Sequence, residues 1–166
     1  MRNEEKFWKK YFYIKSKNNI FLTKLYKYEL LMKMRKYNSS IAFESNIKSK
    51  IKLPHGLSGI FISRGAVIGE NCTIFHQVTI GSNTLSDSKG VGAPVIGNNC
   101  YIGVGAKIIG NVKVGNNVRI GANCVVVKDV PDNATVVCAE NRVILHKEKR
   151  NNNFVKYDDI KNNNKF

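Results

Sequence analysis

A period of six residues runs through the middle of this 166-residue chain. Ile62, Ile68, Ile74 and Ile80 stand six apart, and after a break Ile96, Ile102, Ile108, Val114, Ile120 and Val126 keep the same step. All of these anchors are β-branched, and Gly follows at 69, 81, 97, 103, 115 and 121. The fourth residue after an anchor is small or β-branched, as at Ala66, Cys72, Val78, Cys100, Ala106, Val112, Val118, Cys124 and Val130. One bulky and one small inward position per six residues suit a narrow prism of short strands. Three hexads make one triangular coil, and stacked coils bury each other's faces and pair each other's backbones. A helix is excluded, because six is not 3.6 and because Gly and β-branched residues oppose it throughout. A sandwich would need turn clusters every 8–12 residues.

Two interruptions break the repeat. The step from Leu53 to Ile62 is nine, so Pro54-His55-Gly56-Leu57-Ser58-Gly59 carries three extra residues. The step from Ile80 to Ile96 is sixteen, one hexad plus a polar, Gly-rich excursion at about 83–94. Loops that leave a rigid solenoid are where function concentrates.

The flanks differ from the coil. Residues 1–39 read as basic helical segments, in which Phe21, Leu22, Leu25, Tyr28 and Met32 follow a helical spacing with Lys on the other side. Such a segment is expected to cap one end of the prism, with Trp8 as one of its packing residues. Residues 40–145 hold the coil, and 146–166 form a Lys/Asn-rich tail expected to be a frayed helix or disordered. The formal net charge of +15 sits unevenly: residues 1–37 hold eleven Lys/Arg against Glu4, Glu5 and Glu29. Drift in composition accounts for this better than a nucleic-acid partner, with steering of an anionic substrate as an added effect. The basic N-terminus also allows a weak association with a membrane surface. No apolar run is long enough to span a bilayer and no signal peptide is read, so a cytoplasmic protein is expected. Cys72, Cys100 and Cys124 share the small inward position. With Cys138 they show no CxxC and no His at ligand spacing, so neither a disulfide framework nor a metal site is expected.

The stretches LPHGLSGIFIS, AVIGENCTIFHQVTIG, APVIGNNCYIGVGAKIIGNVKVGNNVRIGANCVVVKDVPDNA and VVCAENRVI resemble the hexapeptide-repeat acyltransferases, in particular their serine acetyltransferase-like branch. That branch includes short enzymes that acetylate bacterial surface sugars. The resemblance covers about three-fifths of the chain. It implies a left-handed parallel β-helix, a homotrimer with active sites between subunits, and acetyl-CoA as acetyl donor with no metal. It also implies that His55, in the first short insertion, is the general base. A serine or sugar hydroxyl is essentially never ionised at neutral pH, whereas an imidazole, with an ordinary pKa of about 6.5, takes up the proton without prior charging. His76 sits two residues after Ile74 as His55 sits two after Leu53, one coil on, so their backbones are expected to stack ~4.8 Å apart. His76 would then orient His55, bind substrate or simply pack; His146 lies beyond the repeats and takes no role. Carried over by position, coenzyme A contacts fall on Ser82, Asn83, Val104, Arg119 and Ala122, with Lys107 and Lys128 as phosphate partners.

The departures from the serine acetyltransferase pattern are specific. The aspartate fifteen residues before the base falls on Ser40, the one directly before it on Pro54, and the Arg-His pair of the long loop on Gly92 and Ala93. Glu44 is the nearest remaining carboxylate candidate to orient His55. The Gly-Asn-Pro-Ala turn common near the end of such proteins is replaced by Ala139-Glu140-Asn141. The expected function is therefore O-acetyl transfer to a saccharide hydroxyl in surface-glycan biosynthesis. Serine O-acetylation is the alternative, and a non-catalytic trimeric scaffold the alternative of another class. A γ-carbonic anhydrase would need three histidines within the coil, and only His55 and His76 lie there.

Overall fold

The computed structural model describes residues 2–16, 19–139, 145, 147, 148 and 150. Two helices, α1 (Arg2–Ser16) and α2 (Ile20–Lys36), precede five stacked coils of a left-handed parallel β-helix. The first coil carries β1 (Ser40–Ile41) and β2 (Asn46–Ile47), and the second β3 (Phe61–Ile62), β4 (Val67–Ile68) and β5 (Thr73–Ile74). The third carries β6 (Thr79–Gly81), β7 (Val95–Ile96) and β8 (Tyr101–Ile102), and the fourth β9 (Lys107–Ile109), β10 (Lys113–Val114) and β11 (Arg119–Ile120). β12 (Val125–Val126) and β13 (Thr135–Val136) belong to the last coil.

Every strand pairs in parallel with its counterpart one coil away, giving three faces of order β1-β3-β6-β9-β12, β2-β4-β7-β10 and β5-β8-β11-β13. The register sets anchor over anchor: Ile62 on Ile80 on Ile108 on Val126 along the first face, and Ile47 on Ile68 on Ile96 on Val114 along the second. These anchors are buried and their strand neighbours face out, which is the two-residue alternation of a pleated strand. Ile41 and Ile47 already stand in this register, so the coil starts one turn before Ile62, the first anchor of the repeat. The last coil departs from the count. Val130, expected at a small inward position, instead bridges the anchor Val114, so this coil reaches the second face two residues early.

One corner owes its shape to asparagine. Asn71, Asn99, Asn117 and Asn133 connect the second face to the third with φ of 56–59°, a left-handed conformation that Asn tolerates better than most residues. Their amides form a ladder along the stack, Asn71 Nδ2 to Asn99 Oδ1 at 2.9 Å, Asn99 to Asn117 at 3.2 Å and Asn117 to Asn133 at 3.0 Å.

The helices close the N-terminal end. α1 buries Phe7, Trp8, Tyr11 and Ile14, a helical stripe, and has Glu4 and Glu5 in its first turn and Lys15 in its last, each favourable to the helix dipole. α2 starts at Asn19, whose side chain accepts the Leu22 amide. Four polar groups of the first coil are taken by these helices and their side chains. Tyr11 Oη donates to Ala42 O at 2.9 Å, Lys15 Nζ to Ser45 O at 2.5 Å, the Leu53 amide to Glu4 Oε1 at 2.9 Å, and the Ile41 amide to Met34 Sδ at 3.2 Å. Burial raises the Tyr11 hydroxyl above its usual pKa and keeps it a donor. α2 docks inward through Leu30 and Met34, so the stripe Phe21, Leu25, Tyr28 and Met32, expected against the prism, faces outward instead. No helix among the described residues is long and apolar enough to cross a membrane.

Two outcomes test this packing. Cys72, Cys100 and Cys124 are buried and Cys138 is exposed. Hydrogen bonding to Cys100, then burial, hold the Cys72 thiol far above its usual range, while the same bond draws Cys100 down to about 7 and burial alone shields it; burial, then its contact with Cys138, push Cys124 up to about 11. Iodoacetamide should therefore modify one thiol of the native chain, Cys138, and all four after unfolding, as counted by intact mass. At Gly97 an added Cβ would meet the Gly115 carbonyl at 2.7 Å, backbone against backbone. Gly97→Ala should cost about 1–3 kcal/mol and lower the thermal midpoint.

Candidate active site

The third-to-first corner gathers the histidines. Leu53 ends the third face of the first coil, and the three extra residues that follow carry His55 outward into solvent. One coil below, His76 follows β5 on the same corner, and Gln77 turns the chain with φ of 59°. The two rings meet: His55 Nδ1 lies 2.7 Å from His76 Nδ1, with centroids 4.6 Å apart and planes inclined by 39°. The stacking read from the repeat is thus realised as a hydrogen bond. In a neutral pair one Nδ1 donates and the other accepts. Two imidazolium rings would set donor against donor, so the contact holds at most one positive charge. Nε2 of His55 takes no bond among the described residues. Phe75 meets the His55 ring edge-on at 5.4 Å, and Tyr101 continues that aromatic shelf at 5.0 Å from Phe75.

A cleft of about 880 Å³ opens between the helices and the first coil and reaches His55. Glu4, Trp8, Lys33, Tyr37 and Lys52 line it together with the histidine. Burial, then the charges of Lys10 and Lys6, lower the Lys33 ammonium below its usual range. The indole Nε1 of Trp8 is buried and has no partner among the described residues. Neither Trp8 nor Tyr37 was legible as a wall of a cleft that reaches His55. They join that cleft only through the docking of α1 and α2, for which the chain carries no spacing signal.

The other residues read as a site fall into two groups. Val104 and Ala122 continue the corner column below His76. The His76 carbonyl accepts the Gly105 amide at 3.0 Å, and the Val104 carbonyl accepts the Asn123 amide at 2.8 Å. Lys107 reaches the same corner, its Nζ donating to Gly105 O at 2.6 Å and Gln77 O at 3.2 Å. Arg119 lies exposed on the third face. Ser82 and Asn83, by contrast, sit on the first-to-second corner, where Ser82 Oγ donates to Ser63 Oγ at 2.9 Å. There the loop is pinched by paired backbone bonds between Asn83 and Gly92, at 2.8 and 2.9 Å. Lys128 turns on that corner too, in the last coil. A single chain therefore does not bring Ser82, Asn83 or Lys128 to the histidines.

Glu44 is corrected as the orienter of His55. It lies on the first-to-second corner and pairs with Arg64 at 3.6 Å. The side chain that does meet Nδ1 of His55 is that of His76. His146, Glu140 and Asn141 lie outside the described residues. Among the described residues no group of three His, Cys, Asp or Glu side chains is placed to hold a metal.

Residues 93–128 match the family model of the bacterial transferase hexapeptide (six repeats). The chain is 36% identical over 116 residues to a serine acetyltransferase of Bacillus pumilus, which covers 70% of this chain and 52% of that protein. It is 43% identical over 94 residues to the one of Synechococcus elongatus, covering 57% of this chain and 37% of that protein. The chain thus spans about half, or less, of the length of the curated relatives it matches. Among solved structures it is similar to serine acetyltransferase isoform 3 of Entamoeba histolytica in complex with cysteine, with a TM-score of 0.62 and 32% identity over 72% of this chain and 42% of that one. It is also similar to the Neisseria gonorrhoeae serine acetyltransferase, with a TM-score of 0.60 and 33% identity over 70% of this chain and 45% of that one. The coil, its register and these likenesses agree: residues 93–128 carry the bacterial transferase hexapeptide repeat, and over its coil the chain is similar to serine acetyltransferases.

Proposed function

We propose that this chain transfers an acetyl group from acetyl-CoA to a hydroxyl, with His55 as general base and His76 as the residue that positions it. The observation that carries this reading is the Nδ1–Nδ1 contact of 2.7 Å. If His55 donates its Nδ1 proton to His76, Nε2 of His55 is left as the lone-pair nitrogen facing solvent. Nε2 then takes the acceptor's hydroxyl proton as the oxygen attacks, and the imidazolium returns it to the departing thiolate. His76 accepts from the charged ring throughout, the task a carboxylate performs in histidine–aspartate pairs.

Acetyl-CoA supplies the acyl group as an activated thioester. The corner column fits such a ligand: Val104 and Ala122 are small and leave backbone groups within reach, and Lys107 and Arg119 offer cations to phosphates. Ser82, Asn83 and Lys128 lie on another edge of the prism, so they would complete the same groove only from a neighbouring copy. This supports a homotrimer with sites between subunits.

The acceptor with the most support is L-serine, because the relatives of this chain are serine acetyltransferases. A saccharide hydroxyl is the second reading. It is favoured by Ser40, Pro54, Gly92 and Ala93, which put neither carboxylate nor guanidinium where the serine enzymes carry them.

Coenzyme A release from acetyl-CoA, followed with a thiol reagent, is expected with L-serine as sole acceptor, and His55→Ala should slow it by about 10²–10⁴-fold. Turnover on sugars but not on serine would move the assignment to the second reading. If wild type and His55→Ala are equally silent on both, the chain is a non-catalytic trimeric scaffold. His76→Ala should lower kcat roughly tenfold or more with KM for acetyl-CoA unchanged, and His76→Asn, whose amide oxygen accepts from Nδ1–H, should recover part of the loss.

A further inference from the structure

The outward face of α2 takes no part in the coil or the site. Ile20, Phe21, Leu25, Tyr28, Leu31 and Met32 expose between 42% and 76% of their surface. At about 100° per residue, Phe21, Leu25, Tyr28 and Met32 fall in one sector of roughly 60°. Lys24 and Arg35 border that sector on one side and Lys36 on the other, while Ile20 and Leu31 continue it beyond Lys24 as far as Lys27. Those four cations are exposed. The single acid of α2, Glu29, lies next to Lys36 at the edge of this face and is paired with Lys10 of α1. The exposed half of the helix therefore carries six apolar side chains and four cations, and the one anion at its edge is already paired.

That composition selects its partner. A face that only met water would carry no Phe, Leu and Met stripe, since several neighbouring large apolar groups on an exposed helix mark an interaction surface. A second copy of the same face would set four cations against four, with Glu29 at the edge already held by Lys10. An anionic bilayer meets both demands. The headgroup–acyl boundary takes up Phe, Leu, Ile and Met, Tyr suits the headgroup level, and Lys and Arg reach the lipid phosphates along their own apolar stems. α2 is too short and too charged to cross the membrane, so the geometry is that of a helix lying in the interface. We propose that α2 docks this protein onto an anionic lipid surface through Phe21, Leu25, Tyr28 and Met32, with Lys24, Lys27, Arg35 and Lys36 at the headgroups. The docking does not depend on which hydroxyl is acetylated, or on the acetyl transfer itself.

Sedimentation of the full chain with lipid vesicles tests it. Binding is expected with phosphatidylcholine vesicles that contain phosphatidylglycerol and not with phosphatidylcholine alone, and rising salt should weaken it. Lys24→Gln with Arg35→Gln should reduce the partition coefficient roughly thirtyfold. Phe21→Ser with Met32→Ser should reduce it to background while the circular dichroism spectrum stays unchanged, because both side chains point away from the core. No partition into the phosphatidylglycerol vesicles would overturn the proposal. So would equal partition of the Phe21/Met32 variant, which would reduce the effect to diffuse charge. A change in oligomeric mass of that variant in lipid-free solution would overturn it too, and assign the face to contacts between copies.

Discussion

Everything in this molecule depends on the parallel backbone pairing of one coil with the next. Strands of two or three residues are far too short to persist alone, and an isolated coil has no buried interior. Stacking supplies both needs at once. The amide and carbonyl of each anchor find partners one coil above and below, and the β-branched side chains pile into continuous columns such as Ile62, Ile80, Ile108 and Val126. Because the pairing is strictly in register, a residue added to one hexad cannot be absorbed by slipping. It must leave the prism at a corner, and that is where both insertions leave it.

The corners translate this constraint into chemistry. A stack of equivalent corners lines up residues that are sixteen or more positions apart, so side chains distant along the chain become neighbours at strand spacing. On one corner the outcome is structural, a ladder of asparagine amides that satisfies its own polar groups. On another it is a pair of histidines, followed below by Val104 and Ala122 where the column narrows to small residues. The same geometry that props one asparagine on the next brings two imidazoles close enough to share a proton.

Much of this was legible in the chain because a period is a strong signal. The anchors Ile62 to Val126, the small inward cysteines and the stacking of His76 on His55 all follow from counting by six and by three. The same count places the long loop one corner away from the histidines, since Ile80 opens the first face and Leu53 closes the third. It also removes Glu44 from the vicinity of His55. What counting cannot reach is the flank. The stripe Phe21, Leu25, Tyr28 and Met32 has a clear helical period, but α2 has two apolar sides, and burial of Leu30 and Met34 decides which one turns inward. Trp8, Tyr37 and Glu4 join the cleft that reaches His55 only through that docking. Val130 escapes because the last coil is shortened, and a shortened hexad has no periodic trace.

The polar contacts from the helices to the first coil have a wider meaning. A solenoid built by translation has no intrinsic reason to stop, and its first coil presents unpaired strand groups to whatever arrives. Here Tyr11, Lys15, Glu4 and Met34 occupy the groups of Ala42, Ser45, Leu53 and Ile41 that another prism's coil would otherwise claim. The two helices are therefore a chain terminator for the repeat. They fix the prism as a finite object with one blocked end, and they turn a geometry that could grow end to end into fibres into a discrete protein.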